Sequence, residues 1–242
     1  MKNAMLVARR EIATYLRSPL GYIVVAVALL LEGILFYALG GLGSGARLSA
    51  EVLANFFYFT SGPTMVLCIL ISMRLLAGER EHGTLVLLNT APIRDVEIVV
   101  GKFASALVFV AVTTALTVYM PLLIFVNGKV SVGHIVVGYV GLLLLSSAAL
   151  SIGLLGSALA RTQVVAVIVA ALLLALMILW WAVAKVTDPP LNDFIAGIAL
   201  HHERFKSFMS GVLKLENVVF YLAVTYFFLL AATKTLEARR WR

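Results

Sequence analysis

Six long apolar runs alternate with short polar connections, and none shows the every-second-residue alternation of a half-buried strand. They cover Leu20–Leu39, Val52–Leu76, Ile98–Val126, Gly133–Ala160, Gln163–Ala184 and Val218–Thr233, the last extensible to Leu236. A helix rises about 1.5 Å per residue, so about 20 apolar residues cross a hydrocarbon core about 30 Å thick. Backbone groups in lipid must bond within their own segment or around a closed barrel, and barrel strands alternate in hydropathy. The pattern predicts an all-α integral membrane protein with six transmembrane helices in one transmembrane domain over residues 1–242.

The connections carry patterns of their own. Before the first run, Met5, Ala8, Ile12, Tyr15 and Leu16 recur at helical spacing, surrounded by Lys2, Arg9, Arg10 and Arg17, and Ser18-Pro19 ends the helix. Residues 1–19 read either as an interfacial helix or as a solvated basic tail that only fixes topology. The polar-mixed lead is longer than the basic head of a signal peptide, so the first run reads as an uncleaved span. Residues 187–217 are too polar to cross. Pro189-Pro190 stops the fifth helix, and Phe194, Ile198, Phe205, Phe208, Met209 and Val212 mark two short amphipathic helices. These dip into the outer leaflet or cap a path. Pro63, beside Gly62, and Pro121 predict kinks in the second and third spans.

Composition agrees. The 242 residues are 62% hydrophobic and 13% charged, whereas soluble domains average about 25% charged, so a water-soluble globule is excluded. Thirteen of the nineteen Lys and Arg residues fall on the side that holds both termini. The excess of positive charge places that side in the cytoplasm, and the expected location is a bacterial inner membrane. Trp180 and Trp181 then sit in an outer aromatic belt and Tyr22 near the inner one. The net charge of +7 is spread over membrane flanks and gives no nucleic-acid footprint. A single cysteine, Cys68, excludes an internal disulfide or a cysteine metal cluster.

Some residues within the runs bear on function. Glu32 is the only acid inside a predicted span, and a charge at that depth costs about 2.5–3.5 kcal/mol on insertion scales. It either lines a transport path or subunit contact, or is a neutral, hydrogen-bonded carboxyl. Ser147, Ala149, Ser151, Gly153, Gly156 and Ser157 give the fourth span a small-residue surface, suited to close packing within the chain or at a dimer seam. His201, His202 and Glu203 are adjacent, but neighbours do not share a helix face and no spaced partner ligands accompany them, so no metal is expected.

The connection between the second and third runs, GEREHGTLVLLNTAPIRDVEIVVGK over residues 78–102, is the most distinctive. Glu79 to His82 continue the second span, Gly83 permits a break, and Thr84 to Leu88 form a short apolar helical patch with Leu85 and Leu88 on one side. Asn89-Thr90-Ala91 ends it. Pro92 suits the first turn of the next helix, and Asp95 and Glu97 complement its positive end. Exposed leucines on such a helix fit a partner surface; the alternative is a loop packed on its own spans.

This stretch resembles the signature region of type-2 ABC exporter permeases, especially the GldF-like gliding-motility and NosY-like branch. Their pattern, E-R-x-x-G-T-x-E-x-L-L-x-[ST]-P with a following acid and G-K, matches Glu79, Arg80, Gly83, Thr84, Leu87, Leu88, Pro92, Asp95, Gly101 and Lys102. The tail HHERFKSFMSGVLKLENVVFYL and the closing LEARRW are similar to that branch. Val86 stands where the family has Glu, and Asn89 where it has an apolar residue.

The resemblance implies a half-transporter. A second permease copy, two cytoplasmic ABC ATPase subunits and accessory envelope proteins would complete it. Residues 78–94, with Glu79, Arg80, Gly83, Thr84, Leu85, Leu87, Leu88, Pro92 and Asp95, would be the coupling region. Glu32 would border the path, and 187–217, with Phe205, Phe208 and Met209, would be the outer gate. No G-x-x-x-x-G-K-[ST] occurs, so no cofactor is expected in this chain, with ATP and Mg in the partner. Gly41, Gly43 and Ala46 match G-x-G-x-x-A but follow a membrane helix, and read as an outer turn. Export and mechanical work in the envelope both fit; an ion-coupled carrier or intramembrane enzyme acting without an ATPase is the alternative.

Overall fold

A computed structural model describes residues 2–39, 49–84, 93–127, 130–188 and 191–240. The helices are α1 (Lys2–Arg17), α2 (Pro19–Leu39), α3 (Ser49–Ser72), α4 (Asp95–Leu116), α5 (Tyr119–Asn127), α6 (Val132–Leu159), α7 (Gln163–Val186), α8 (Leu191–Ile198), α9 (His202–Met209) and α10 (Leu215–Arg240). Beyond α3 the chain passes through a π-helical turn, Arg74–Gly78, and a last α-helical turn, Glu79–Glu81. Six helical stretches are long and apolar enough to cross a membrane: Gly21–Ala38, Ala50–Glu81, Asp95–Phe125, Val132–Leu159, Gln163–Val186 and Leu215–Arg239. All six predicted runs are among them. The sixth helix is longer than its apolar run, because its polar ends stay helical; at one end Lys234 pairs with Glu237 at 2.7 Å.

The third crossing is broken between α4 and α5. Pro121 has no N–H and its ring displaces the carbonyl four residues earlier, that of Thr117. The hydroxyl of Thr117 then bonds the Thr114 carbonyl at 2.7 Å and shares a hydrogen bond with the Tyr139 hydroxyl at 3.0 Å. Pro63, in contrast, lies within a continuous α3.

The fourth crossing, α6, is the axis of the bundle, packing along α3, α4, α7, α9 and α10. Its apolar stretch is 67% buried, against 17% for that of α7. Lipid tails are as apolar as side chains, so membrane helices associate where their backbones can approach closely. At Gly153 an added Cβ would lie 2.1 Å from Ser72 Oγ, and at Gly156 it would lie 2.8 Å from the backbone nitrogen of Ala170. Ser147 bonds Thr225 of α10 at 3.0 Å. The small-residue surface of α6 is thus consumed by packing within this chain.

Between the fifth and sixth crossings the chain re-enters the bundle. Leu200 N–H donates to the carbonyl of Met177 at 3.0 Å, and Tyr221 hydroxyl donates to the Leu200 carbonyl at 2.8 Å. Met177 lies nine residues before the end of α7, a depth of about 14 Å along the helix. Non-helical backbone is tolerated there only where protein supplies its hydrogen bonds, and here both groups of Leu200 are satisfied.

Helix α1 lies along α4, where the missing Cβ of Gly101 admits the Ala4 carbonyl and Val7. Val7, Ala8 and Tyr15 are buried, with Tyr15 and Phe109 ring centroids 5.0 Å apart. Of the apolar face expected for this helix, Ala8 and Tyr15 turn onto the protein. Met5 and Leu16 are left exposed, with Leu6 beside them. The notch at Gly101 sets this rotation.

Replacing Gly156 by Ala is expected to lower the stability of the purified protein by about 1–3 kcal/mol through overpacking against a backbone that cannot yield. Gly133→Ala, whose Cβ would meet nothing within 4 Å, is expected to leave it unchanged or slightly higher. Thermal unfolding of the two variants in detergent checks this.

Candidate functional site

Arg74 to Gly78 form the π-helical turn, and Leu75, Leu76 and Ala77 in it are fully buried. Such turns need an inserted partner and recur at functional sites. The partner here is Ser157 of α6: its Oγ accepts from Leu76 N–H at 3.1 Å and Ala77 N–H at 2.9 Å, and donates to the Met73 carbonyl at 3.2 Å. One hydroxyl thus fastens the end of the second crossing to the fourth.

The next turn is fastened in every direction. Lys102 of α4 has no exposed surface, and its Nζ lies 2.7 Å from Glu11 Oε1 and 2.8 Å from Glu79 Oε1. Arg10 stands 3.6 Å from Glu79. Arg80 donates to the carbonyls of Ala158 and Ala160 at the end of α6. Glu81 Oε2 accepts from Gln163 N–H at 3.1 Å, capping the start of α7. Three consecutive residues therefore tie the second crossing to α1, α4, α6 and α7. The helix then stops at Gly83, φ +71. Thr84 N–H reaches the Glu79 carbonyl at 2.9 Å and Gly83 N–H the Arg80 carbonyl at 3.1 Å, the double bond pattern of a glycine-terminated helix.

Of the predicted coupling residues, Glu79 and Arg80 thus have partners within the chain, and Gly83 and Thr84 form the helix end. Asp95 is the buried first residue of α4. Leu85, Leu87, Leu88 and Pro92 lie outside the described residues, as does the Gly41–Ala46 turn. At the start of α4, Glu97 Oε2 accepts from Arg94 N–H at 3.4 Å and from Asn3 Nδ2 at 3.2 Å, a second link to α1.

The other predicted residues lie apart from this junction. Glu32 is buried beside Thr64, whose Oγ1 lies 3.3 Å from its Oε1 and 2.8 Å from the Thr60 carbonyl. A hydroxyl has one proton to give, and Glu32 Oε2 has no partner among the described residues. Phe205 and Phe208 are fully buried and Met209 partly so; Phe208 fills the space left by Gly141 on α6. They act as wedges holding the outer segment to the bundle.

Both oxygen contacts of Ser61 fix the state of His201. Ser61 donates to the Tyr58 carbonyl at 2.6 Å, so His201 Nε2, 2.8 Å away, is the donor in their hydrogen bond. Burial, helped by the neighbouring His202, holds the His201 imidazole neutral, with its pKa lowered from 6.5 to about 4. The ring of His202 lies instead on Trp181, centroids 3.9 Å apart. The two histidines therefore address different partners.

Lys102, Glu11, Glu81 and Ser157 complete the junction without having stood out as site residues in the sequence. Lys102 carried a signal, a cation in the first turns of an apolar run, and Glu11 another, the only acid before the first span. Ser157 was one small residue among many.

A bundle of six apolar crossings tied by charge at one end is the fold of a multi-pass membrane protein. The chain belongs to the ABC-2 family of transporter proteins, whose family model matches residues 5–239. It is accordingly a permease subunit of an ABC transporter, and membership implies an ABC ATPase partner. No curated protein matches the chain.

Lys102→Met is expected to lower stability by about 3–5 kcal/mol, since it leaves two carboxylates facing each other without their cation. Adding Glu11→Gln and Glu79→Gln is expected to recover most of the loss, as read by thermal unfolding. His201 gives a pH dependence of known sign. The unfolded chain takes up its proton near pH 6.5 and the folded chain near 4. The stability from neutral His201 is therefore complete above about pH 6.5 and declines as pH falls toward 4. His201→Gln is expected to flatten that part of the profile.

Proposed function

We propose that this chain is the membrane-spanning half of an ATP-driven exporter, or of a machine that turns ATP hydrolysis into mechanical work in the cell envelope. Two copies, each docked to a cytoplasmic ABC ATPase subunit that holds ATP and Mg, form the working assembly in a bacterial inner membrane, both termini being cytoplasmic. The coupling region runs over residues 78–94, with the leucines at 85, 87 and 88 seated on the ATPase.

The observation that carries this reading is the junction at residues 79–81. A push on the segment that follows Gly83 meets a turn bonded to α1, α4, α6 and α7 at once. The displacement is therefore shared among four other helices. Movement of that kind needs a packed element with two arrangements, biased by nucleotide in the partner. The π-helical turn, held by one side chain, is the least regular part of the crossing and the place where it can change register.

The likeness of 201–222 and of the closing LEARRW to the GldF-like and NosY-like branch supports the mechanical variant and a place among accessory envelope proteins. Glu32, with one buried oxygen lacking a partner among the described residues, supports a polar contact inside the bundle that a transported solute or the second copy completes.

Co-purification with the ATPase is the test. The wild-type chain is expected to retain the ATPase, and Leu88→Asp to lose it while still running as a folded species on gel filtration. Retention of the ATPase by Leu88→Asp at wild-type level would refute the assignment of the coupling region.

A further inference from the structure

A cavity of about 280 Å³ lies between α1, the π-helical turn and the start of α7, and Arg10, Thr14, Arg74, His82 and Gln163 are among the residues lining it. Its charges do not balance. Glu11 and Glu79, both in its wall, are bound to Lys102. Arg10, 62% exposed, reaches only the same Glu79. Among the described residues no carboxylate pairs with Arg74. Arg10, Arg74 and Lys102 behind the wall thus stand against Glu11 and Glu79, which among the described residues leaves one positive charge uncompensated, at the Arg74 guanidinium.

The depth of that charge narrows what can neutralise it. Arg74 precedes the end of the crossing at Glu81 by seven residues, about 10 Å along the helix. On its other side it borders an apolar crevice lined by Tyr15, Gly21, Val24, Leu70, Ile71 and Phe109. Arg74 sits where a polar cavity meets an apolar wall. An anion at that level comes from the membrane more readily than from solution. Basic pockets between crossings on the cytoplasmic side are suited to phospholipid headgroups, and a guanidinium binds phosphate through two parallel N–H donors.

We infer that this cavity binds the phosphodiester headgroup of an anionic glycerophospholipid, held by Arg74 and Arg10, in the leaflet on the side of α1. One negative charge completes the balance, and the lipid braces α1 against the turn that joins the second crossing to its neighbours. Only the naming of that leaflet as cytoplasmic rests on the proposed function; the binding itself does not require an ATPase.

Native mass spectrometry of the purified full chain, titrated with phosphatidylglycerol or with zwitterionic phosphatidylcholine, tests the site. One phosphatidylglycerol per chain is expected to be retained about thirtyfold better than phosphatidylcholine, the effect of about 1 kcal/mol from each of Arg74 and Arg10. Arg74→Gln is expected to abolish the preference, and Arg9→Gln, on the same helix side of the membrane but not lining the cavity, to keep it. Should Arg74→Gln fail to assemble, Arg10→Gln at its exposed position carries the same expectation. Equal retention of the two lipids, or equal losses in Arg9→Gln and the cavity variant, would overturn the inference. Displacement of the lipid by glycerophosphate at equal concentration would also overturn it, since the site would then belong to a soluble phosphate.

Discussion

A lysine with no exposed surface must be met by opposite charge, and that requirement organises one whole end of this protein. Lys102 draws Glu11 from α1 and Glu79 from the end of the second crossing to the same ammonium. An isolated ammonium out of water would cost several kcal/mol, so the cluster forms as a unit or not at all. Because its members come from three separate helices, satisfying the charge also fixes how α1, α3 and α4 meet. The surrounding bonds of Arg80 and Glu81 then bring α6 and α7 into the same frame.

Packing provides the second constraint. In a bilayer, apolar side chains alone give helices little reason to prefer one another over lipid. The fourth crossing answers with short side chains, which bring its backbone against α3 and α7 and place Ser157 close enough to enter the π-helical turn. Close approach and local irregularity are thus linked: the turn is bonded because the neighbouring helix is near, and that helix is near because it lacks bulk. The outer end uses the opposite means, the large ring of Phe208 filling the recess that Gly141 leaves, with Phe205 buried beside it.

Much of this was legible in the sequence. The six crossings follow from run length, the break in the third from Pro121, the two outer helices from the spacing of Phe205, Phe208 and their neighbours, and the helix end from Gly83. Other features depend on distance in space. The partners of Lys102 lie 91 and 23 residues away, and no periodicity announces which acids they are. The π-helical turn has the same apolar character as any buried turn, and its stabilising hydroxyl belongs to another helix. Which apolar residues of α1 meet protein is not given by spacing, because hydrophobicity cannot distinguish a side chain meant for protein from one meant for lipid. The notch at Gly101 makes that choice.

The glycine at the end of the second crossing separates two kinds of information. Upstream of it, Glu79, Arg80 and Glu81 are bonded to neighbouring helices; the direction in which the chain departs is set by main-chain bonds from Gly83 and Thr84. Under the proposed coupling role, an unusual residue such as Val86 would bear on which ATPase the permease accepts. Recognition would then rest on a segment whose angle of departure is set by the main chain at Gly83.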